Sequence, residues 1–288
     1  MAAKPIRQAR RYLPLIYLCF AVACWAATVL LAQAPYPTPK AAAVAPDSGV
    51  LAHSWAFIVA VTGNLLLFAA CGEAVSRSPL AILRTGRNTL SLSRLQMVAW
   101  SALVIAAITA AAACRGVALG ANEALALRIP PELLQVMGIS FVSAAAAPAI
   151  LSLKSQPADV DQVQAAAHRM GEALVRSDQL VRRPMGSRVR LADLVRGDDL
   201  NSAGSVDLGK VQQLAISALV IAVYATVVAT FFRWERFGGL ATGLPRFSSD
   251  FVTLLLVSHG GYLALKAASK PESSPASRPP PPGDRNAP

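Results

Sequence analysis

The side chains with the most chemical potential in this chain lie inside apolar stretches. Ser258-His259-Gly260-Gly261 sets an ionisable imidazole between Leu255 and Leu263, beside two glycines that would let another backbone approach closely. Asn64, with Thr62 near it, and Ser140 with Ser143 place further hydrogen-bonding groups in other apolar runs. At such positions a polar group either contacts a solute, gates a path, or bonds a neighbouring helix. Helix-to-helix bonds of this kind average only about 0.6 kcal/mol, enough to specify packing without any transport role. That packing role is the favoured expectation for Asn64, Ser140, Ser143, Ser258 and His259.

Catalytic patterns are missing. The chain has no glycine-rich phosphate loop, no His-Glu-x-x-His and no Gly-x-Ser-x-Gly. His53, His168 and His259 fall in separate segments and make no metal-binding spacing. Cys19, Cys24, Cys71 and Cys114 lie in or at the ends of apolar runs, where cysteine acts as a small hydrophobe. The expectation is therefore a protein that is not an enzyme, with no cofactor and no metal. No Asp, Glu, Lys or Arg falls well inside an apolar stretch, which speaks against an ion-coupled pump.

The elements that must hold these groups follow from composition. Of 288 residues, 54% are apolar and 15% charged, whereas a soluble domain carries roughly 25% charged residues. A bilayer core needs about 20 mostly apolar residues per helix. Six stretches qualify: Leu13 to Leu31, Val50 to Cys71, Leu95 to Ala113, Leu133 to Leu153, Val211 to Phe232 and Phe251 to Ala268. In the last, Lys266 is expected to snorkel to the headgroups. The fold class expected is all-α, a polytopic membrane bundle of six transmembrane helices.

Charge then orients the bundle. With both termini inside, 21 of the 27 Lys and Arg residues fall in cytoplasmic segments, the distribution that sets topology in an inner membrane. The net charge of +11 thus has a membrane explanation, and no aromatic-basic platform suggests nucleic acid. The first apolar run is longer than the roughly 7 to 15 residues of a cleaved signal, so an uncleaved anchor is expected.

The last four stretches carry a duplication. Arg94-Leu95-Gln96, Ile129-Pro130, Glu132 and Gly138-Ile139-Ser140 are matched in order by Lys210-Val211-Gln212, Leu244-Pro245, Asp250 and Leu256-Val257-Ser258. The separation from Gln to Ser is 44 residues in one unit and 46 in the other. Each unit is a helix pair that starts from the same side, so the repeats are parallel and related by an axis along the membrane normal. Glu132 and Asp250 suit helix amino termini, and Gln96 and Gln212 suit anchoring at the cytoplasmic face. Small residues four apart, Ala106-Ala110-Cys114, Ala218-Ala222 and Ala225-Ala229, would let helices pack closely. Pro148 is expected to kink or locally break the fourth span.

At these residues the chain resembles a group of uncharacterised bacterial multi-pass inner-membrane proteins. Those share a basic-x-Gln helix start, a Leu-Pro loop and a Gly-Ile-Ser helix, with an Asp-Leu-x-x-Gly-Asp segment between two copies. Here that segment is Asp193-Leu194-Val195-Arg196-Gly197-Asp198, followed by Val206-Asp207-Leu208-Gly209-Lys210. The second copy departs from the pattern with Leu256 in place of glycine. The resemblance implies the duplicated fold and brings no activity with it.

The expected organisation is a two-span hairpin over 1–94, repeat units over 95–154 and 210–268, a cytoplasmic helical insert over 155–209 and a disordered Pro-rich tail over 269–288. In the insert, Val160, Val163, Ala167, Met170 and Leu174 form an apolar helical stripe whose helix is expected to run to Arg182-Arg183 before Pro184. A second, shorter element is expected over Val189 to Val195. The functional expectation is a non-enzymatic membrane anchor or scaffold for a cytoplasmic protein partner that engages 156–209. The alternative is a passive channel or small-solute transporter with a path between the repeats.

Overall fold

The computed structural model describes residues 12–34, 48–153, 157–232 and 242–268. The Pro-rich tail, the proline-rich loop after the first stretch and the amino-terminal basic segment lie outside the described residues.

Eight α-helices occur among the described residues, and no β-strand. They are α1 (Leu13–Ala32), α2 (Ser48–Ser76), α3 (Leu92–Leu119), the short α4 (Ala121–Ala124), α5 (Pro131–Ser152), α6 (Val160–Met170), α7 (Leu208–Phe231) and α8 (Ser249–Ala267). All six expected apolar stretches are helical. Five of them, α1, α2, α3, α5 and α7, are long and apolar enough to cross a membrane. The sixth, α8, falls short of that standard because Asp250, His259 and Lys266 interrupt its 19 residues.

In the helical assembly α1 packs on α2, and α2 on α3. Helix α3 also contacts α5 and α7, while α8 contacts α5 and α7, so the last four long helices form a ring. The core of that ring is apolar: Trp100, Val104, Leu133, Val136, Val220, Tyr224 and Leu255 are fully buried. Tyr224 stacks on Phe247 at 4.6 Å between ring centroids, and Trp100 meets Phe247 edge-on at 5.9 Å. Ala106, Ala110 and Cys114 pack wholly inside, as four-residue spacing of small side chains permits. Ala218 and Ala222 do not: that face of α7 is exposed, and only Ala225 and Ala229 approach the core.

Helix α5 continues through Pro148, so of the expected kink or local break the break does not occur. The proline stands four residues before the helix's last residue, Ser152, so little helix follows it. At the far end of the ring, Arg128 and Gly243 form an isolated parallel bridge, with the Arg128 N–H donating to the Thr242 carbonyl at 2.8 Å and Leu244 N–H to the Arg128 carbonyl at 3.1 Å.

Residues 157–207 fold as a cap on the other end. From the stripe on α6, Val163 and Met170 turn inward, joined by Ala166 in place of the expected Ala167, and pack against Ala158, Val181, Leu200 and Ala203. Val160 stays exposed. The helix stops at Met170, well before the expected Arg182-Arg183, because Gly171 adopts φ +62° and closes it with bonds to the Ala167 and His168 carbonyls. Leu174 still packs on the cluster, but from outside the helix. The shorter element reduces to a 3₁₀ turn over Leu191–Leu194.

Candidate functional site

The cap is fastened by ion pairs among side chains taken almost entirely out of water. Arg183 lies between two acids: its guanidinium donates to both Asp193 oxygens at 2.7 Å and to Glu172 at 2.7 and 3.0 Å. Its side chain is 1% exposed. Burial works against the charge, yet the hydrogen bonds from Arg183 to Asp193 and Glu172 outweigh it and hold the guanidinium above its ordinary pKa. Such forked pairs fix geometry as well as charge. The same Asp193 accepts from Leu90 N–H at 3.1 Å, and Asn88 donates to the Pro184 carbonyl at 2.8 Å, so the α2–α3 loop is gripped by the cap.

The second node centres on Asp198. Lys266 from the last turn of α8 reaches it at 2.8 Å, Lys210 from the first turn of α7 at 3.1 Å, and Arg87 from the α2–α3 loop at 3.7 Å. Burial alone would raise the Asp198 carboxyl; Lys210, Lys266 and Arg87 prevail and hold it well below the usual carboxylate range. Lys210 also donates to the Arg196 carbonyl at 2.6 Å, and Lys266 to the Tyr262 hydroxyl at 2.6 Å. Lys266 therefore turns inward to the cap and does not snorkel away from the bundle.

Local sequence explains why these groups meet. Asp207 caps α7 by accepting from Gly209 and Lys210 N–H, which sets Lys210 one turn into the helix. Gly209 lies where a Cβ would stand 2.8 Å from the tip of the Leu265 side chain, so α7 and α8 run close together at this end. Gly197 is similarly pressed against Ser202.

Beside the Asp198 node lies a cavity of about 220 Å³. The amino-terminal residues of α3, the carboxyl-terminal turns of α5 and α8 and the start of α7 converge on it, together with the α2–α3 loop and the cap. Arg87, Arg94, Lys210 and Lys266 supply cations to its wall, Asp178 and Asp198 supply carboxylates, and Ala147, Pro148 and Leu151 supply an apolar side.

The five residues singled out from sequence are buried but are not gathered into one site. Asn64 accepts from Trp25 Nε1 at 3.2 Å and donates to the Ala102 carbonyl at 3.1 Å, tying α1, α2 and α3 together. Ser143 shares a hydrogen bond with Ser93 at 3.3 Å, joining α5 to α3. His259 Nδ1 bonds the Leu255 carbonyl of its own helix at 2.9 Å. Ser140 Oγ, Ser258 Oγ and His259 Nε2 have no hydrogen-bond partner among the described residues. Gln96 is buried and bonds Ser217 at 2.7 Å and Gln213 at 2.9 Å. Gln212, its counterpart in the duplication, faces outward. No cluster of three or more metal-binding side chains occurs among the described residues.

The residues that build the nodes were visible as motifs and not as partners. Asp193 and Asp198 are the two acids of the Asp-Leu-x-x-Gly-Asp segment, and Asp207, Gly209 and Lys210 belong to the segment that follows. Nothing in their spacing indicates that they fold back onto Arg87, Arg183 and Lys266. No family model, no curated protein and no solved structure matches the chain.

Proposed function

We propose that this is a non-enzymatic integral protein of a bacterial inner membrane whose cap, on the cytoplasmic side, serves as a fixed platform for a protein partner. The observation that carries this reading is the Asp198 node. One carboxylate in the cap binds cations from two helices and a connecting loop of the membrane bundle, so the cap is held as a rigid surface. Positive charge concentrated at that end supports the orientation. Six crossings, with α8 as the sixth, and two parallel helix-pair repeats complete the reading. The repeats draw support from the Arg128–Gly243 bridge, because these residues stand at equivalent places just before Ile129-Pro130 and Leu244-Pro245. A parallel bridge between equivalent loop segments fits a twofold axis running along them.

The exposed rim of the cap includes Met185, Arg188, Arg190 and Leu191, apolar and basic side chains open to a partner. Site-specific photo-crosslinking in cells from position 188, with position 125 at the far end as control, tests the platform. A discrete protein adduct at 188 alone is expected. Adducts at neither position, or equally at both, would remove the reading.

The alternative, a passive path between the repeats, rests on Ser140 Oγ, Ser258 Oγ and His259 Nε2, which are buried on the packed helices α5 and α8 with no hydrogen-bond partner among the described residues. Solute flux into liposomes, compared between the native protein and His259→Ala, tests it.

A further inference from the structure

We propose that the cavity at the capped end binds the phosphate headgroup of an anionic phospholipid, with the lipid chains lying along the exposed face of α5. This deepens the membrane reading above and depends on it.

Charge is the first argument. Lys210, Lys266 and Arg87 converge on Asp198, three cations against one carboxylate, with side chains only 4%, 10% and 14% exposed. Arg94 adds a fourth cation to the wall and donates to the Arg84 carbonyl at 2.6 Å. The other lining carboxylate, Asp178, already faces Arg182 at 3.7 Å. Positive charge withdrawn from water in this excess is costly unless an anion offsets it. Arg87 Nη1, moreover, is buried with no hydrogen-bond partner among the described residues. A buried guanidinium donor left unmatched is uncommon and calls for an acceptor.

Shape is the second argument. Among the residues lining the cavity, Pro148 and Ser152 are exposed on α5 and Gly86 on the α2–α3 loop, so the cavity borders the outer side of α5. Phe141 and Ala145 continue the same exposed strip along the helix. The cationic wall and the lipid-facing apolar strip are therefore contiguous, which suits a phosphate that carries acyl chains. A basic pocket between helix ends at a cytoplasmic face is suited to anionic lipid headgroups. The start of α3 at Ser91 and Leu92 also lies on the cavity, and its positive dipole end adds to the field.

The test uses full-length protein in a neutral mild detergent, with affinity for phosphatidylglycerol, phosphatidylcholine and inorganic phosphate measured by native mass spectrometry and by thermal shift. Phosphatidylglycerol is expected to bind and to raise the melting midpoint, with phosphatidylcholine and inorganic phosphate at least about fivefold weaker. Arg94→Gln, which leaves the Asp198 node intact, and Ser152→Glu, which sets a negative charge on the exposed rim, are each expected to weaken phosphatidylglycerol about fivefold, the scale of one charge at a membrane surface. Equal binding of phosphatidylcholine would overturn the anionic requirement. Inorganic phosphate matching phosphatidylglycerol would overturn the lipid as occupant. Undiminished binding by both variants would place any lipid elsewhere. None of these failures touches the platform reading, which the cross-linking decides on its own.

Discussion

Lys266 Nζ lies 2.8 Å from Asp198, joining the last turn of α8 to a cap loop 68 positions earlier in the chain. With Lys210 on the same carboxylate, this contact couples the second helix pair to the segment that precedes it. Its consequence is that loss of this one carboxylate should loosen the cap and the bundle at the same time.

Replacing Asp198 with Asn should therefore be severe. Removing one member of a buried ion pair costs roughly 3 to 5 kcal/mol, because the remaining charge stays buried and unmatched. A double variant, Asp198→Asn with Lys266→Met, should recover part of that loss. Chemical unfolding in detergent across the cycle measures the coupling; strict additivity would show that the pair contributes nothing.

The node also sets an acid limit. The Asp198 carboxyl is held below its ordinary value in the folded state, so its contribution is complete above the unfolded value near ~4 and is lost as pH falls toward its own lower one. Native protein should thus lose stability steeply below about pH 4. Asp198→Asn, already lacking the contribution, should show a shallower acid slope in melting measured between neutral pH and about pH 3. Equal slopes would assign the acid sensitivity to other carboxylates.

Arg183→Met is expected to damage the cap more than the bundle, since it leaves Asp193 and Glu172 facing each other without their shared cation. Proteolysis at the exposed Arg188 and Arg190 should accelerate in this variant while the long helices stay protected. By contrast Asn64→Leu, which removes two hydrogen bonds between helices, should cost only about 1 kcal/mol, at roughly 0.6 kcal/mol for each such bond in a bilayer.

The fold was far more legible in the sequence than the site. Length and apolarity located every long helix, because helices in a membrane are dictated by a local property that a window can sum. The end of α6 was misplaced for an equally local reason: Arg182-Arg183-Pro184 looks like a terminus, but Gly171 closes the helix first by taking a left-handed conformation. Lys266 was assigned to the headgroups since its long stem usually permits that; only the folded cap brings Asp198 within reach. Ion-pair partners 12 to 111 positions apart, such as Lys210 with Asp198 and Arg87 with Asp198, leave no periodic trace. The sharp sequence feature, His259, is satisfied on one side by its own helix, and its other ring nitrogen has no hydrogen-bond partner among the described residues.

Accessibility from the two sides of the membrane tests the central claim most directly. In a cysteine-free background, Met185→Cys on the cap rim and Leu125→Cys at the far end, both 89% exposed, would be treated with an impermeant thiol reagent. Labelling of position 185 only in inverted vesicles, and of position 125 only in intact spheroplasts, is the expected pattern. Labelling of both positions from one side, or of position 185 from outside, would contradict a bundle that crosses the membrane beneath a cytoplasmic cap.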